Sequence, residues 1–234
     1  MNSLIVVPTY EEEENVPELM RGIWTHAPGN HVLFVDDNSQ DGTRDRIDEL
    51  RREHPELVHA IYRPGKMGLG TAYIAGFTWA LERDYDAMIE MDADLSHNPS
   101  VLPRIHELLG EYDVVIGSRY VKGGGTRNWG PIRQLISRMG GVYARTILGF
   151  DICDPTGGFN AWRREVIERI RPSAIKSEGY SFQIELKYRA SRAGFRLKET
   201  PILFEDRRAG KSKMSNRIII EAMLRVLALR RLRL

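Results

Sequence analysis

Met88-Ile89-Glu90-Met91-Asp92-Ala93-Asp94 is the stretch on which the reading of the chain turns. A short apolar run of this kind suits a buried strand, and this one ends in two carboxylates one residue apart. Toward the N-terminus the same event occurs twice more. Leu4–Val7 runs into Pro8-Thr9-Tyr10-Glu11-Glu12, and Val32–Val35 runs into Asp36-Asp37-Asn38-Ser39. Helical patterns over 14–26, 42–54 and 71–81 separate these runs, with a further strand at Val58–Tyr62. Toward the C-terminus, Asn98-Pro99 opens a helix with proline just inside its start, and Val114–Ile116 gives a fifth strand. This alternation predicts an α/β fold, a mostly parallel sheet flanked by helices.

Beyond Gly117 the regularity changes. Lys122-Gly-Gly-Gly-Thr-Arg127 reads as a flexible loop, and Pro131–Leu148 as an amphipathic helix with Ile132, Leu135, Ile136, Met139 and Tyr143 at helical spacing. A helix over Tyr180–Ala193 and one strand over Leu197–Phe204 follow. The last helix, Asn216–Leu229, carries Ile219, Ile220, Met223, Val226 and Leu227 on one face. The expected organisation is one domain over 1–213 and a basic amphipathic helix over 214–234.

A chain of 234 residues with 42% hydrophobic and 28% charged residues can bury a core without disulfides. Its single cysteine, Cys153, excludes an internal disulfide and a multi-cysteine zinc site, and fits a reducing cytosol. The first apolar run stops at Pro8 with no basic residues before it, so it reads as a strand and not a signal peptide. No stretch reaches the ~18 apolar residues of a spanning helix. Glu205–Leu234 holds nine basic and three acidic residues, a net of +6 against +2 for the whole chain, so the body carries −4. An anionic partner near the C-terminus or a solvated basic tail would each account for this.

In an open α/β sheet, ligands bind beyond the carboxyl ends of the strands, where all three polar strand ends lie. Asp37 could accept hydrogen bonds from a base or a ribose. Asp92 and Asp94 flank one residue in a turn, from which both can reach a hard cation. A bound divalent ion would reverse the local field and stabilise a departing diphosphate. Gly68-Leu69-Gly70 is a fragment of a dinucleotide fingerprint, but it follows the third strand and Tyr73 occupies the place of the last glycine. It reads as a tight turn opening a helix.

Val7-Pro-Thr-Tyr-Glu-Glu12, Val35-Asp-Asp-Asn-Ser-Gln-Asp-Gly-Thr43, Gly65-Lys-Met-Gly-Leu-Gly70, Met91-Asp-Ala-Asp-Leu-Ser-His97, Gly117-Ser-Arg-Tyr120 and Asp154-Pro-Thr-Gly-Gly-Phe159 occur in that order. Together they resemble the dolichyl/polyprenyl-phosphate mannose synthase family, inverting glycosyltransferases of the GT-A (Rossmann-like) fold. The resemblance covers nearly the whole chain. It implies transfer of mannose from GDP-mannose to a dolichyl or polyprenyl phosphate, with Mg²⁺ or Mn²⁺ as cofactor. By position, Pro8, Tyr10, Glu12, Val35, Asp37, Asp92 and Ala93 match donor contacts. Asp94 matches the principal metal ligand, with Asp92 and Ser96 beside it. Ser96 stands where some relatives have Gln. Arg119, Arg207 and Lys213 match basic groups around the phosphates, and Arg119, Arg133 and Ser137 an acceptor-phosphate site. Arg133 and Ser137 are i and i+4 on one helix face, a fork and a hydroxyl suited to phosphate, though a solvent-facing Arg and an ordinary helix Ser have the same spacing.

His97 needs no role as base, because a phosphate acceptor is already ionised, and it reads as structural. A polyprenyl tail lies in a bilayer, so the expected location is cytoplasmic, peripheral at the cytoplasmic face of a membrane. The helix from Pro131 and the last helix, with Arg225, Arg230, Arg231 and Arg233, are the candidates for surface contact. The resemblance leaves room for a membrane-embedded partner protein and includes no nucleic acid. Glucose transfer to a lipid phosphate, or a silent nucleotide-sugar-binding protein, are the rival readings. The Gln-x-x-Arg-Trp motif of processive synthases is absent.

Overall fold

Successive residues of the central strands face opposite layers of helices. In β1 (Ser3–Thr9), Leu4 and Val6 enter one core cluster, and Ile5 the other with Val7. In β2 (His31–Asp36), Leu33 and Val35 oppose Val32 and Phe34 in the same way. With a period of two and both faces covered, each strand becomes an unbroken apolar run, which is why the sequence shows runs and not alternation. The computed structural model describes residues 1–175, 177, 179–205 and 216–231, the side chains of 180 and 216–222 excepted.

One layer contains α1 (Asn15–His26), α2 (Thr43–Glu53) and α4 (Leu102–Leu109), anchored through Leu19, Ile47 and Ile105. The other contains α3 (Leu69–Leu81), α5 (Pro131–Leu148), α6 (Arg164–Ile170), α7 (Gly179–Arg192) and α8 (Asn216–Leu229). Phe77, Leu148, Val166, Phe182 and Val226 tie these five into a single cluster. Helix α3 lies so close to β1 that a Cβ on Gly76 would stand 2.3 Å from Val6 Cγ1. Asn98 caps a 3₁₀ turn (Pro99–Val101) ahead of α4, its Oδ1 accepting from Ser100 N at 2.9 Å.

The other strands of the main sheet are β3 (Val58–Tyr62), β4 (Ala87–Glu90), β5 (Val114–Ser118), β7 (Asn160–Arg163) and β8 (Leu197–Pro201), in the order β3-β2-β1-β4-β7-β5-β8. All pairings are parallel except those of β7, which runs antiparallel between β4 and β5. Winding reverses at β1, whose neighbours are β2 and β4, so a crevice opens above the β1–β4 boundary.

Two expectations are corrected, and two elements are added. The late strand over Leu197–Phe204 is two strands, β8 and β9 (Leu203–Glu205), in different sheets. Ile202 is where the chain changes partners: its N–H donates to Ser118 O at 3.0 Å and its carbonyl accepts from Gly125 N at 3.0 Å. The glycine-rich loop contains β6 (Gly125–Arg127), which pairs with β9. Strand β7 and helix α6 lie where no element was expected. Helix α5 has the expected bounds, and most of its apolar stripe points outward. Ile132, Leu135, Met139 and Val142 are 60–73% exposed, while Ala144 and Leu148, on the opposite side, are buried. Helix α8 packs on α5 and α7 through Val226 and Leu229 and exposes Met223, Leu224 and Leu227. The expected boundary at 213/214 lies outside the described residues.

Candidate active site

A cavity of about 730 Å³ opens at the switch point, lined by Pro8, Tyr10 and Glu12 after β1, Asp37 after β2, and Asp92, Ala93 and Asp94 after β4. The three polar strand ends therefore meet. Each contains, or is followed at once by, a non-glycine residue in the left-handed region: Glu11 (φ 59°), Asn38 (φ 64°) and Leu95 (φ 62°). Such conformations are uncommon, and their recurrence shows turns held by their surroundings. Asp36 supplies much of that hold. Fully buried, it accepts from Arg44 Nε at 2.7 Å, Thr9 Oγ1 at 3.1 Å and Ser39 N at 3.1 Å.

Asp37 lines the cavity, but its carboxylate already serves the neighbouring turn. Oδ2 accepts from Met67 N at 3.0 Å and Gly68 N at 3.3 Å, and Arg63 Nε lies 3.2 Å from Oδ1. Gly68, at φ 96°, starts α3, as the tight-turn reading of Gly68-Leu69-Gly70 requires. Lys66 Nζ lies 3.4 Å over the Tyr10 ring, at a face where a base could stack. Glu12 receives Asn15 Nδ2 at 2.6 Å. Val35 differs from the other donor candidates: its side chain is fully buried in the core, so a donor could meet only its main chain.

The Asp92-Ala93-Asp94 turn is fixed from behind. Tyr73, on α3 and fully buried, donates its hydroxyl to Asp92 Oδ1 at 2.8 Å. Burial, and then the Asp92 and Glu90 charges, push the Tyr73 phenol well above its ordinary range, so it acts as a donor. His97 Nδ1 accepts from Asp92 N at 3.0 Å, and its ring stacks on Phe159 at 5.0 Å, consistent with a structural role. Asp94 Oδ1 accepts from Ser96 N at 3.1 Å. Ser96 is itself buried, does not line the cavity, and its Oγ has no hydrogen-bond partner among the described residues.

Among the described residues, no three His, Cys, Asp or Glu side chains group closely enough to hold an ion by themselves. A pair of carboxylates on a rigid turn nevertheless fits a small hard cation, which takes one or two carboxylates and completes its shell with water and substrate phosphates.

A second cluster stands apart from the cavity lining. Arg119, just beyond β5, is buried and forked onto Asp154: Nε to Oδ2 at 2.7 Å, Nη2 to Oδ1 at 2.6 Å, and its own N–H to Oδ2 at 3.0 Å. Nη2 also reaches Thr156 Oγ1 at 2.9 Å. Burial opposes the ionisation of Asp154, yet the charge and hydrogen bonds of Arg119, aided by Lys187, hold its carboxyl below the ordinary range. Rings of Tyr120, Trp129 and Phe204 surround the guanidinium at 5.3, 5.4 and 5.6 Å. Ser137 accepts from Tyr120 Oη at 2.7 Å, and Arg133 lies 4.0 Å over Trp129. Arg119, Arg133 and Ser137 are thus joined through two aromatic side chains. Arg207 and Lys213, expected at the donor phosphates, lie outside the described residues, as does Arg233.

Tyr73, Tyr120, Trp129 and Thr156 were not singled out from sequence. Tyr120 and Thr156 lay inside quoted motifs, and adjacency to Arg119 and Asp154 was the available signal. Tyr73 had none, since on a buried helix face it looks like any core aromatic.

Comparison with known proteins agrees with this geometry. The sequence pattern of glycosyl transferase family 2 matches residues 4–171. The polyprenol monophosphomannose synthase of Mycolicibacterium smegmatis is 47% identical over 225 residues, covering 96% of this chain and 85% of that one. The undecaprenyl-phosphate mannosyltransferase of Micrococcus luteus is 46% identical over 226 residues, covering 97% and 93%. Among solved structures, glucosyl-3-phosphoglycerate synthase from Mycobacterium tuberculosis, in complex with Mn²⁺, UDP and phosphoglyceric acid, superposes with a TM-score of 0.71. That match has 17% identity and covers 99% of this chain and 79% of the other, so it speaks for the GT-A-like fold alone. On the family pattern and the two near-full-length relatives, the chain belongs to glycosyl transferase family 2 and, within it, to the polyprenyl-phosphate mannose synthases.

Proposed function

We propose that this chain transfers mannose from GDP-mannose to a dolichyl or polyprenyl phosphate, inverting the anomeric carbon. The observation that carries the reading is the juxtaposed carboxylate pair, Asp92 and Asp94, in the switch-point cavity of a chain whose relatives are named as lipid-phosphate mannosyltransferases. Asp92 and Asp94 would hold Mg²⁺ or Mn²⁺, with Ser96 orienting Asp94 through its N–H. The ion would supply charge neutralisation for a departing diphosphate.

The chain's own residues do the rest by positioning and charge. Arg119, Arg133 and Ser137 receive the acceptor phosphate. One of its ionised oxygens forms a bond to C1 of the sugar as the C1–O bond to the donor's β-phosphate breaks. That electron pair leaves with the nucleoside diphosphate, near which Arg207 and Lys213 are proposed to act. No proton needs removing, which fits a His97 already engaged with Asp92 N.

None of the helices in the described residues is long and apolar enough to cross a membrane. The exposed stripe of α5, roughly opposite Arg133 and Ser137 on the same helix, supports contact with a bilayer surface, with Arg138 exposed on α5 and Arg230 and Arg231 exposed at the end of α8. A cytoplasmic-face location and a membrane-embedded partner protein belong to this proposal.

The test is label transfer. Purified protein with Mn²⁺ or Mg²⁺ and polyprenyl phosphate should move label into the organic phase from GDP-mannose, and not from UDP-glucose or GDP-glucose. Asp94→Ala, or excess chelator, should abolish it. Transfer from a glucose donor instead, or full turnover with chelator present, would overturn the assignment.

A further inference from the structure

Every residue of Ser181–Ala190 in α7 is buried, although four of them are Gln183, Glu185, Lys187 and Arg189. Glu185 and Arg189 satisfy each other at 2.7 Å one turn apart, and Ser177 also donates to Glu185. Lys187 is different: among the described residues its ammonium forms no close ion pair and instead donates to backbone carbonyls of Gly157 at 2.6 Å and Pro155 at 3.2 Å. Both carbonyls belong to the turn that begins at Asp154, the residue forked onto Arg119.

A fully buried amine costs several kcal/mol of lost hydration unless its surroundings repay it. Burial pushes the Lys187 amine down, while the charges of Asp154 and Glu90 oppose that shift. If the position served packing alone, Met or Leu would fill it without that cost. The turn it grips is held from two more sides. Glu199, on β8, receives Cys153 N at 2.8 Å and Asp154 N at 2.9 Å. Asn160 Nδ2 donates to Gly157 O at 3.1 Å and to the buried Glu90 at 2.7 Å.

We propose that Lys187 is a positioning residue for sugar transfer: its contacts with Pro155 and Gly157 fix the 154–157 turn, so that Asp154 presents Arg119 to the anionic acceptor. This rests on the reading above, in which Arg119 meets the acceptor phosphate. Lys187 touches no substrate. Its effect is transmitted through the turn to Asp154 and then to Arg119.

Lys187→Met keeps the volume and removes the ammonium. Misplacement of a binding group by about 1 Å can cost roughly 100-fold in rate, so kcat/KM for polyprenyl phosphate should fall by about that factor. Binding of GDP with Mn²⁺, measured by calorimetry, should change less than twofold, because the donor cavity is built from other turns. The second arm is a double-mutant cycle with Arg119→Lys. Once Arg119 is replaced, adding Lys187→Met should cost little more, since both changes remove one interaction. If Lys187→Met does not fold, Lys187→Gln, which keeps an uncharged donor, enters the same cycle. An unchanged acceptor kcat/KM, an equal loss of donor binding, or additive effects in the cycle would each overturn the role of Lys187. Absence of lipid transfer by the native chain would overturn the reading of function itself and the Lys187 role with it.

Discussion

Tyr73→Phe removes a single oxygen from a fully buried side chain. The ring should stay in place between Phe77 and Phe182, whose centroids are 6.2 and 6.4 Å away. What is lost is the 2.8 Å bond to Asp92 Oδ1. A hydrogen bond to a charged group contributes about 1.5–3 kcal/mol, or roughly 10- to 150-fold in an equilibrium that depends on the carboxylate's placement. Groups that orient metal ligands from behind typically affect affinity by about 10- to 100-fold, which agrees. Titrating GDP into the protein at a series of Mn²⁺ concentrations should therefore show an apparent Mn²⁺ affinity at least tenfold weaker in the variant. Stability should fall by about 1.5–3 kcal/mol, lowering Tm by roughly 3–12 °C. A lower Tm with unchanged Mn²⁺ dependence would refute the reasoning, because Tyr73 would then be packing and nothing more.

Gly76→Ala should destabilise by about 1–3 kcal/mol through overpacking, since a Cβ would meet β-branched Val6 at 2.3 Å; chemical denaturation reads this directly. Leu135→Ser with Met139→Ser should weaken binding to anionic vesicles about tenfold or more in a flotation assay, each lost apolar contact being worth roughly 1 kcal/mol, while Tm stays unchanged because both side chains are exposed. Burial holds the half-buried His59 imidazole below its ordinary 6.5, and nearby His31 and Arg83 add to the shift. The folded state thus favours the neutral ring. Its contribution is present above about pH 6.5 and is lost as pH falls from there through the lower folded pKa. Thermal melts between pH 7.5 and 5 should show a decline that is shallower in His59→Asn; an unaltered slope would remove His59 from the account.

The first half of the fold was legible because its signals are local. Each of β1 to β4 is an apolar run punctuated by polar residues, and α1 repeats Val16, Leu19, Met20 and Ile23 at helical spacing. Strand β7 was not legible. Asn-Ala-Trp-Arg has no strand period, and it extends only because β4 and β5 supply hydrogen-bonding edges on both sides. The residues lining the cavity could be singled out because they follow strands, whereas Tyr73 and Lys187 could not. Both lie on helices, and a lysine on a helix reads as solvent-facing until the fold buries it. The stripe of α5 was visible as a pattern, but whether it faced core or solvent depended on where Ala144 and Leu148 docked.

The antiparallel placement of β7 has a consequence for what this scaffold tolerates. The chain leaves the main sheet at Ser118 and re-enters it at Asn160, on the adjoining strand, where Ile116 and Asn160 are in register. Residues 119–159 therefore form an excursion with both feet planted side by side on rigid ground. Lengthening an exposed turn within it costs little closure entropy and leaves the spacing of its feet unaltered. Its last residues also reach the crevice above β1 and β4, because Phe159 stacks on His97, which accepts from Asp92 N. Exchange of that segment would have to keep Ala144, Leu148 and Phe159, whose packing moors it to the two core clusters between those feet.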